Sequence, residues 1–212
     1  MRGSTTAHRQ KRGGGLGGFI LVGGQSRRMG RNKALLRAGG RSLLERTIEL
    51  LRPHVEEVTL LGPSKEYARF GLRVVPDRWP RGGPLGGLCT GLVVSAYDWN
   101  IFLACDLPLL EGRFLELLRE RARKTRKWAV VPRTKRGWEP LAAAYDRRCL
   151  PVLRRTLASR KGGVVDALGS LPVDAIESHE VEARGLSSAL FLNVNRPEDW
   201  KRAKHALTTA LR

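Results

Sequence analysis

The chain of 212 residues has few cysteines, few aromatics and a shortage of acids, and each shortage narrows what it can be. Cys89, Cys105 and Cys149 are the three cysteines. They are widely spaced, form no CxxC pair and match no zinc pattern, which points to small buried hydrophobes in a reducing compartment. Aromatic residues make up 6% and are not interleaved with the basic runs, so a base-stacking platform for single-stranded nucleic acid is not indicated. No apolar run reaches the roughly 18 residues that a membrane span needs. The N-terminus lacks the apolar core of a secretory signal, and a cytoplasmic location is expected.

Acids number 20 against 39 lysines and arginines, for a net charge of +19. Arg2, Arg9, Lys11 and Arg12 lie in the first 18 residues; subtracting these four leaves +15 on the rest. Basic residues are spread from Arg119 to Lys161 rather than gathered in one stripe. That spread suits a solvated surface attracting phosphate-rich small molecules better than a nucleic-acid groove.

With 42% hydrophobic and 28% charged residues the composition is globular, and the length suits one sizeable core. Residues 1–18 are expected to form a disordered basic, glycine-rich tail, and 19–212 a single domain. The tail contains GxGxxG (Gly13, Gly15, Gly18), but it precedes the first apolar run, whereas a dinucleotide fingerprint follows a strand.

From there short apolar runs alternate with helical patterns. Strands are expected at Phe19–Val22, Val58–Leu61, Leu72–Val75, Asn100–Cys105, Trp128–Val131, Leu141–Tyr145, Pro172–Ile176 and Phe191–Leu192, with a loop at Pro132–Pro140. Ser42-x-x-Glu45 is a capping box opening a helix with apolar positions at Leu43, Leu44, Thr47, Ile48 and Leu51. Helices are also expected near Ser64–Phe70, over Pro84–Ala96, Gly112–Arg126, Arg147–Leu157 and Val164–Leu168, and from Pro197, where Glu198 and Asp199 suit the positive dipole end. The alternation predicts an α/β, Rossmann-like three-layer domain with a mostly parallel sheet. Ligands of such sheets lie beyond the strand carboxyl ends.

Val22-Gly-Gly-Gln-Ser-Arg-Arg-Met-Gly-Arg-Asn-Lys33 stands after the first such strand. Gly23 and Gly24 let backbone N–H groups converge on an anion, and Arg28 and Lys33 add charge. The spacing is not that of a P-loop: Lys33 stands three places after Gly30, and Ala34 takes the place of the hydroxyl residue. Asp106, after the most apolar run, offers a hard oxygen for Mg²⁺. Asp77 is placed to accept hydrogen bonds from a base edge. Of the two asparagines in Asn193-Val-Asn195, one is expected to face the site and the other to anchor the loop or cap the last helix.

Five segments together resemble the molybdenum cofactor guanylyltransferase family: Gly23 to Lys33, Gly83-Pro-Leu-Gly-Gly-Leu88, Cys105-Asp-Leu-Pro108, Glu139-Pro-Leu141 with Tyr145, and Asn193-Val-Asn-Arg-Pro-Glu-Asp199. The first and third are shared with nucleotidyltransferases generally. The resemblance implies transfer of GMP from GTP to the phosphate of molybdopterin, with release of pyrophosphate. By position it implies that Val22, Gly23, Gly24 and Lys33 hold the triphosphate, Asp77 meets guanine, Asp106 binds Mg²⁺, and Asn195 completes the metal site or positions substrate. Lys33, Arg28 and Asp106 would carry catalysis.

Three positions depart from the pattern. Asn32 stands where the family usually has Asp, which predicts a more positive loop. Arg196 replaces Thr. Val58-Thr-Leu-Leu-Gly62 offers no clear counterpart to an asparagine that reads guanine. Two other readings stay open at this level: a related enzyme using another nucleotide or phosphate acceptor, and a non-catalytic nucleotide- or RNA-binding protein.

Overall fold

The computed structural model describes residues 14–22 and 32–209. In chain order they form β1 (Leu16–Leu21), a small hairpin of β2 (Arg37–Ala38) and β3 (Arg41–Ser42), α1 (Leu43–Leu51), β4 (Glu57–Leu61), α2 (Ser64–Tyr67), β5 (Arg73–Val75), α3 (Gly83–Val94) and β6 (Trp99–Ala104). Then follow α4 (Gly112–Lys124), β7 (Ala129–Thr134), β8 (Gly137–Trp138), β9 (Ala142–Asp146), α5 (Leu150–Ser159), α6 (Val164–Leu168), β10 (Val173–Glu177), α7 (Ser178–Ala183) and α8 (Pro197–Thr209).

The main sheet runs in the order β10-β7-β9-β6-β1-β4-β5, with β8 paired to β7. β6, β1, β4 and β5 are mutually parallel, β10 is parallel to β7, and β9 lies antiparallel between β6 and β7. Side chains alternate across the sheet with the strand period of two. In β6, Ile101 and Leu103 join a core with α1 and α4, while Phe102 joins the opposite core with α3, α5 and α6. Three layers result, as the alternation of runs implied.

The capping box forms as expected: Ser42 Oγ accepts from Glu45 N at 3.2 Å, and Glu45 Oε2 accepts from Ser42 N at 2.6 Å. These contacts hold the Glu45 carboxyl below its ordinary pKa. Leu43, Leu44, Thr47, Ile48 and Leu51 are the buried positions of α1.

Three local expectations need correction. β1 begins at Leu16, so residues 16–18 belong to the sheet rather than to a tail; Leu16 is buried and Glu56 N donates to its carbonyl at 2.9 Å. The segment expected as a Pro132–Pro140 loop contains the end of β7 and β8. Ser188–Phe191 is a 3₁₀ turn, not a strand, with Leu190 and Phe191 buried. The β2–β3 hairpin and α7 were not anticipated. The cysteines are free thiols, Cys89 and Cys149 buried. No described helix is long and apolar enough to cross a membrane.

Candidate functional site

β1, β4, β5 and β6 are parallel, so Val22, Gly62, Asp77 and Asp106 all emerge at one sheet edge. Val22 continues β1, its N–H donating to Leu61 O at 3.0 Å. Asp106 follows β6 in a turn. Its backbone carbonyl accepts from Val194 N at 2.9 Å, which brings the Asn193–Asn195 segment in from the far end of the chain.

At this edge the Lys33 ammonium donates to Asn195 Oδ1 at 2.8 Å and lies 3.5 Å from Asp106 Oδ2. Three residues singled out from separate stretches of sequence thus meet. Asn195 is the asparagine that faces the site. The anchoring expected of its partner is done by the Val194 N–H, and Asp199 Oδ2 accepts from the N–H groups of Asn195 and Arg196 at the start of α8. Burial raises the Asp106 pKa, and the Lys33 charge pulls it back toward the ionised form. Burial also pushes the neighbouring Cys105 thiol up to about 12, so it is an inert neutral group.

Two oxygens, one carboxylate and one amide, converge on a single positive charge here. Both are hard donors suited to Mg²⁺. No cluster of three or more His, Cys, Asp or Glu side chains of metal-binding geometry occurs among the described residues. Asp106 and Asn195 are the oxygen donors that meet here; Mg²⁺ in general takes one or two carboxylates, with substrate phosphates and water completing its shell.

Asp77 reaches the same edge but is partly committed. Its Oδ1 accepts from Trp79 N at 2.8 Å and from Thr90 Oγ1 at 2.7 Å, while Thr90 Oγ1 accepts from Arg78 N at 3.0 Å. One carboxylate oxygen thus shapes the loop between β5 and α3; the other, Oδ2, makes none of these bonds. The loop lies directly on the first turns of α3, where a Cβ on Gly86 would stand 2.4 Å from Trp79 O. Gly86 is needed for that approach.

Gly23, Gly24 and Arg28 fall outside the described residues. Asn32 lies just inside them. Its Oδ1 accepts from Ala34 N at 3.0 Å, and its Nδ2 donates to Tyr67 Oη at 2.8 Å and to the Glu66 carboxylate. An acid from α2, Glu66, thus stands beside Asn32. Sequence reading missed Glu66 and Tyr67, since nothing in a four-residue helix marks either.

The Glu139-Pro-Leu141 motif is partly architectural. Leu141 O accepts from Ala104 N at 2.8 Å, tying the end of β6 to the start of β9, and the buried Tyr145 hydroxyl donates to Pro140 O at 2.8 Å. The Glu139 carboxyl is half-buried, 3.4 Å from Thr134 Oγ1, and burial raises its pKa. It lines a cavity of about 390 Å³, which shares Arg136 and Leu192 with a second of about 660 Å³. The second is lined by Asn195, Arg196, Asp199 and Arg202 and so opens beside the Lys33–Asp106 pair.

A lysine, a half-buried carboxylate and an asparagine meeting at the carboxyl edge of parallel strands fit an α/β protein of the nucleotidyltransferase class. Residues 18–175 match the MobA-like NTP transferase domain, and the chain belongs to that family. It is 36% identical over 184 residues to a probable molybdenum cofactor guanylyltransferase of Carboxydothermus hydrogenoformans, covering 86% of this chain and 92% of that protein. A protein of the same name from Pelotomaculum thermopropionicum is 34% identical over 189 residues, with 88% and 91% covered. In fold, the chain is similar to the molybdopterin-guanine dinucleotide biosynthesis protein A of Archaeoglobus fulgidus, with a TM-score of 0.80 at 24% identity over 91% of this chain and 98% of that one.

Proposed function

We propose that the chain transfers GMP from GTP to the phosphate of molybdopterin, forming molybdopterin guanine dinucleotide and releasing pyrophosphate. The observation that carries this reading is the meeting of Lys33, Asp106 and Asn195 at the carboxyl edge of the parallel strands. The names of the relatives support guanylyl transfer over another nucleotide or another acceptor.

In the proposed step an oxygen of the acceptor phosphate attacks the α-phosphorus of GTP in line. The bond from that phosphorus to the oxygen bridging to the β-phosphate breaks, and its electron pair leaves with pyrophosphate. Both reactants are anions, so positioning and charge neutralisation are the main catalytic needs. Lys33, and Arg28 in the same role, would supply positive charge where negative charge grows on the leaving group. Asp106, with Asn195, would hold Mg²⁺, which when bound supplies Lewis-acid stabilisation of the phosphoryl oxygens. Gly23 and Gly24 would offer backbone groups to the nucleotide, with Val22, whose own N–H is bound to Leu61 O, leading into them. Asp77 is proposed to meet guanine through the carboxylate oxygen that its loop does not use. Arg136, Arg196 and Arg202 give the adjoining cavity cations for an acceptor phosphate.

The product decides the matter. Mass spectrometry after incubation with GTP, molybdopterin and Mg²⁺ is expected to find the guanine dinucleotide. Unaltered molybdopterin beside a nucleotide adduct of another phosphate compound would refute the acceptor.

A further inference from the structure

Val22 and Asn32 flank residues 23–31, and both are bonded to one oxygen. The Tyr67 hydroxyl donates to Val22 O at 3.0 Å and accepts from Asn32 Nδ2 at 2.8 Å. Tyr67 is 1% exposed and comes from α2, 45 residues from Val22 and 35 from Asn32. Burial pushes its pKa up to about 12, so the hydroxyl keeps its proton under all working conditions.

The bond directions are forced by proton count. A phenol has one proton, and here it goes to the Val22 carbonyl, so position 32 must donate. The Asn32 carbonyl oxygen already accepts from Ala34 N, and its amide supplies one N–H to Tyr67 and another to the Glu66 carboxylate. An aspartate at 32 has no proton to give and would face Glu66 as a like charge. Asn32 and Glu66 therefore form a matched pair, which places the negative charge on α2 and the donor at the base of the loop.

The next residue is Lys33, whose ammonium reaches Asn195 and Asp106. A lysine side chain has large rotamer freedom, and only a fixed root confines its tip. We infer that Tyr67, Asn32 and Glu66 are positioning residues that fasten the root of Lys33 to the end of β1 and so aim its charge at the reacting phosphates. The inference rests on the proposed guanylyltransferase reading for what Lys33 acts on, but not for its being held.

The test compares the full-length protein with Tyr67→Phe, Asn32→Asp and Asn32→Asp/Glu66→Gln. Acylation of Lys33 by an amine reagent, followed by peptide mass spectrometry, needs no turnover; melting temperature and kcat with GTP are measured alongside. Tyr67→Phe is expected to label Lys33 several-fold faster and to lower kcat about tenfold or more. Its melting temperature should fall by only about 2–8 °C. Asn32→Asp should show the same effects with a larger loss of melting temperature. Adding Glu66→Gln removes the like-charge clash but not the missing donor, so melting temperature should recover while labelling stays fast. Wild-type labelling and kcat in folded Tyr67→Phe would overturn the inference, as would recovery of labelling together with melting temperature in the double variant. If wild-type protein makes no guanine dinucleotide, the functional reading fails, and the labelling comparison still decides whether Lys33 is held in this way.

Discussion

At the scale of single residues, the site is a matter of charge placed before the substrate arrives. Burial raises the Asp106 pKa and the Lys33 charge opposes that rise, while Asp106 is itself one reason Lys33 stays in place. Removing either leaves the other mispartnered. Asp106→Ala and Lys33→Ala are each expected to lower kcat on the order of 10² to 10³ while remaining folded, as judged by circular dichroism and steady-state kinetics. Wild-type turnover by folded Asp106→Ala would contradict its assignment. These residues were legible in the sequence because Asp106 directly follows an apolar run, Lys33 closes the glycine-rich segment that follows another, and Asn195 sits in a motif with neighbours of its own. Tyr67 and Glu66 were not legible: their role depends on α2 folding over the end of β1, a contact between segments that no local pattern announces. Asp77 was legible as a strand-end acid, but not its bond to Thr90, which faces it from the next helix.

At the scale of elements, the sequence was most informative where a period had room to show itself. α1 carries a complete capping box, and Ser42→Ala is expected to cost about 1 kcal/mol of stability in chemical denaturation. Two-residue strands such as β2 and β3 leave no period to detect, and the apolar pair Phe191–Leu192 fits a buried turn as well as a strand. α3 packs its backbone against the sheet through Gly91, where a Cβ would meet the Phe102 ring at 2.5 Å. Gly91→Ala should therefore destabilise the fold by about 1–3 kcal/mol despite adding one methyl group to a helix.

His54, in the turn after α1, gives the acid side of the stability profile. Burial lowers its pKa, with Glu116 opposing and Arg119 assisting. Below the unfolded-state value the unfolded chain takes up the proton more readily than the folded one, so stability falls as pH drops past about 6.5. The loss in melting temperature between pH 7.5 and 5.5 should be smaller in His54→Gln.

At the scale of the whole molecule, the parallel strands and both cores follow from the alternation of short apolar runs with helical patterns, and the family match extends over most of that frame. The antiparallel β9 between β6 and β7 did not follow, because an apolar run reads the same in either direction. Its placement depends on the Glu139-Pro-Leu141 turn and its bond to Ala104. The net charge of +19 acts on the same site from a distance. Attraction of an anionic nucleotide by such a field is screened by salt, so KM for GTP should rise several-fold between about 50 and 500 mM KCl with little change in kcat. The measurement that tests the central claim most directly is pyrophosphate release from GTP, ATP, CTP and UTP in Mg²⁺, each with and without molybdopterin. Release from GTP that requires molybdopterin is the predicted result. Equal release from all four nucleotides, or release from GTP indifferent to molybdopterin, would contradict it.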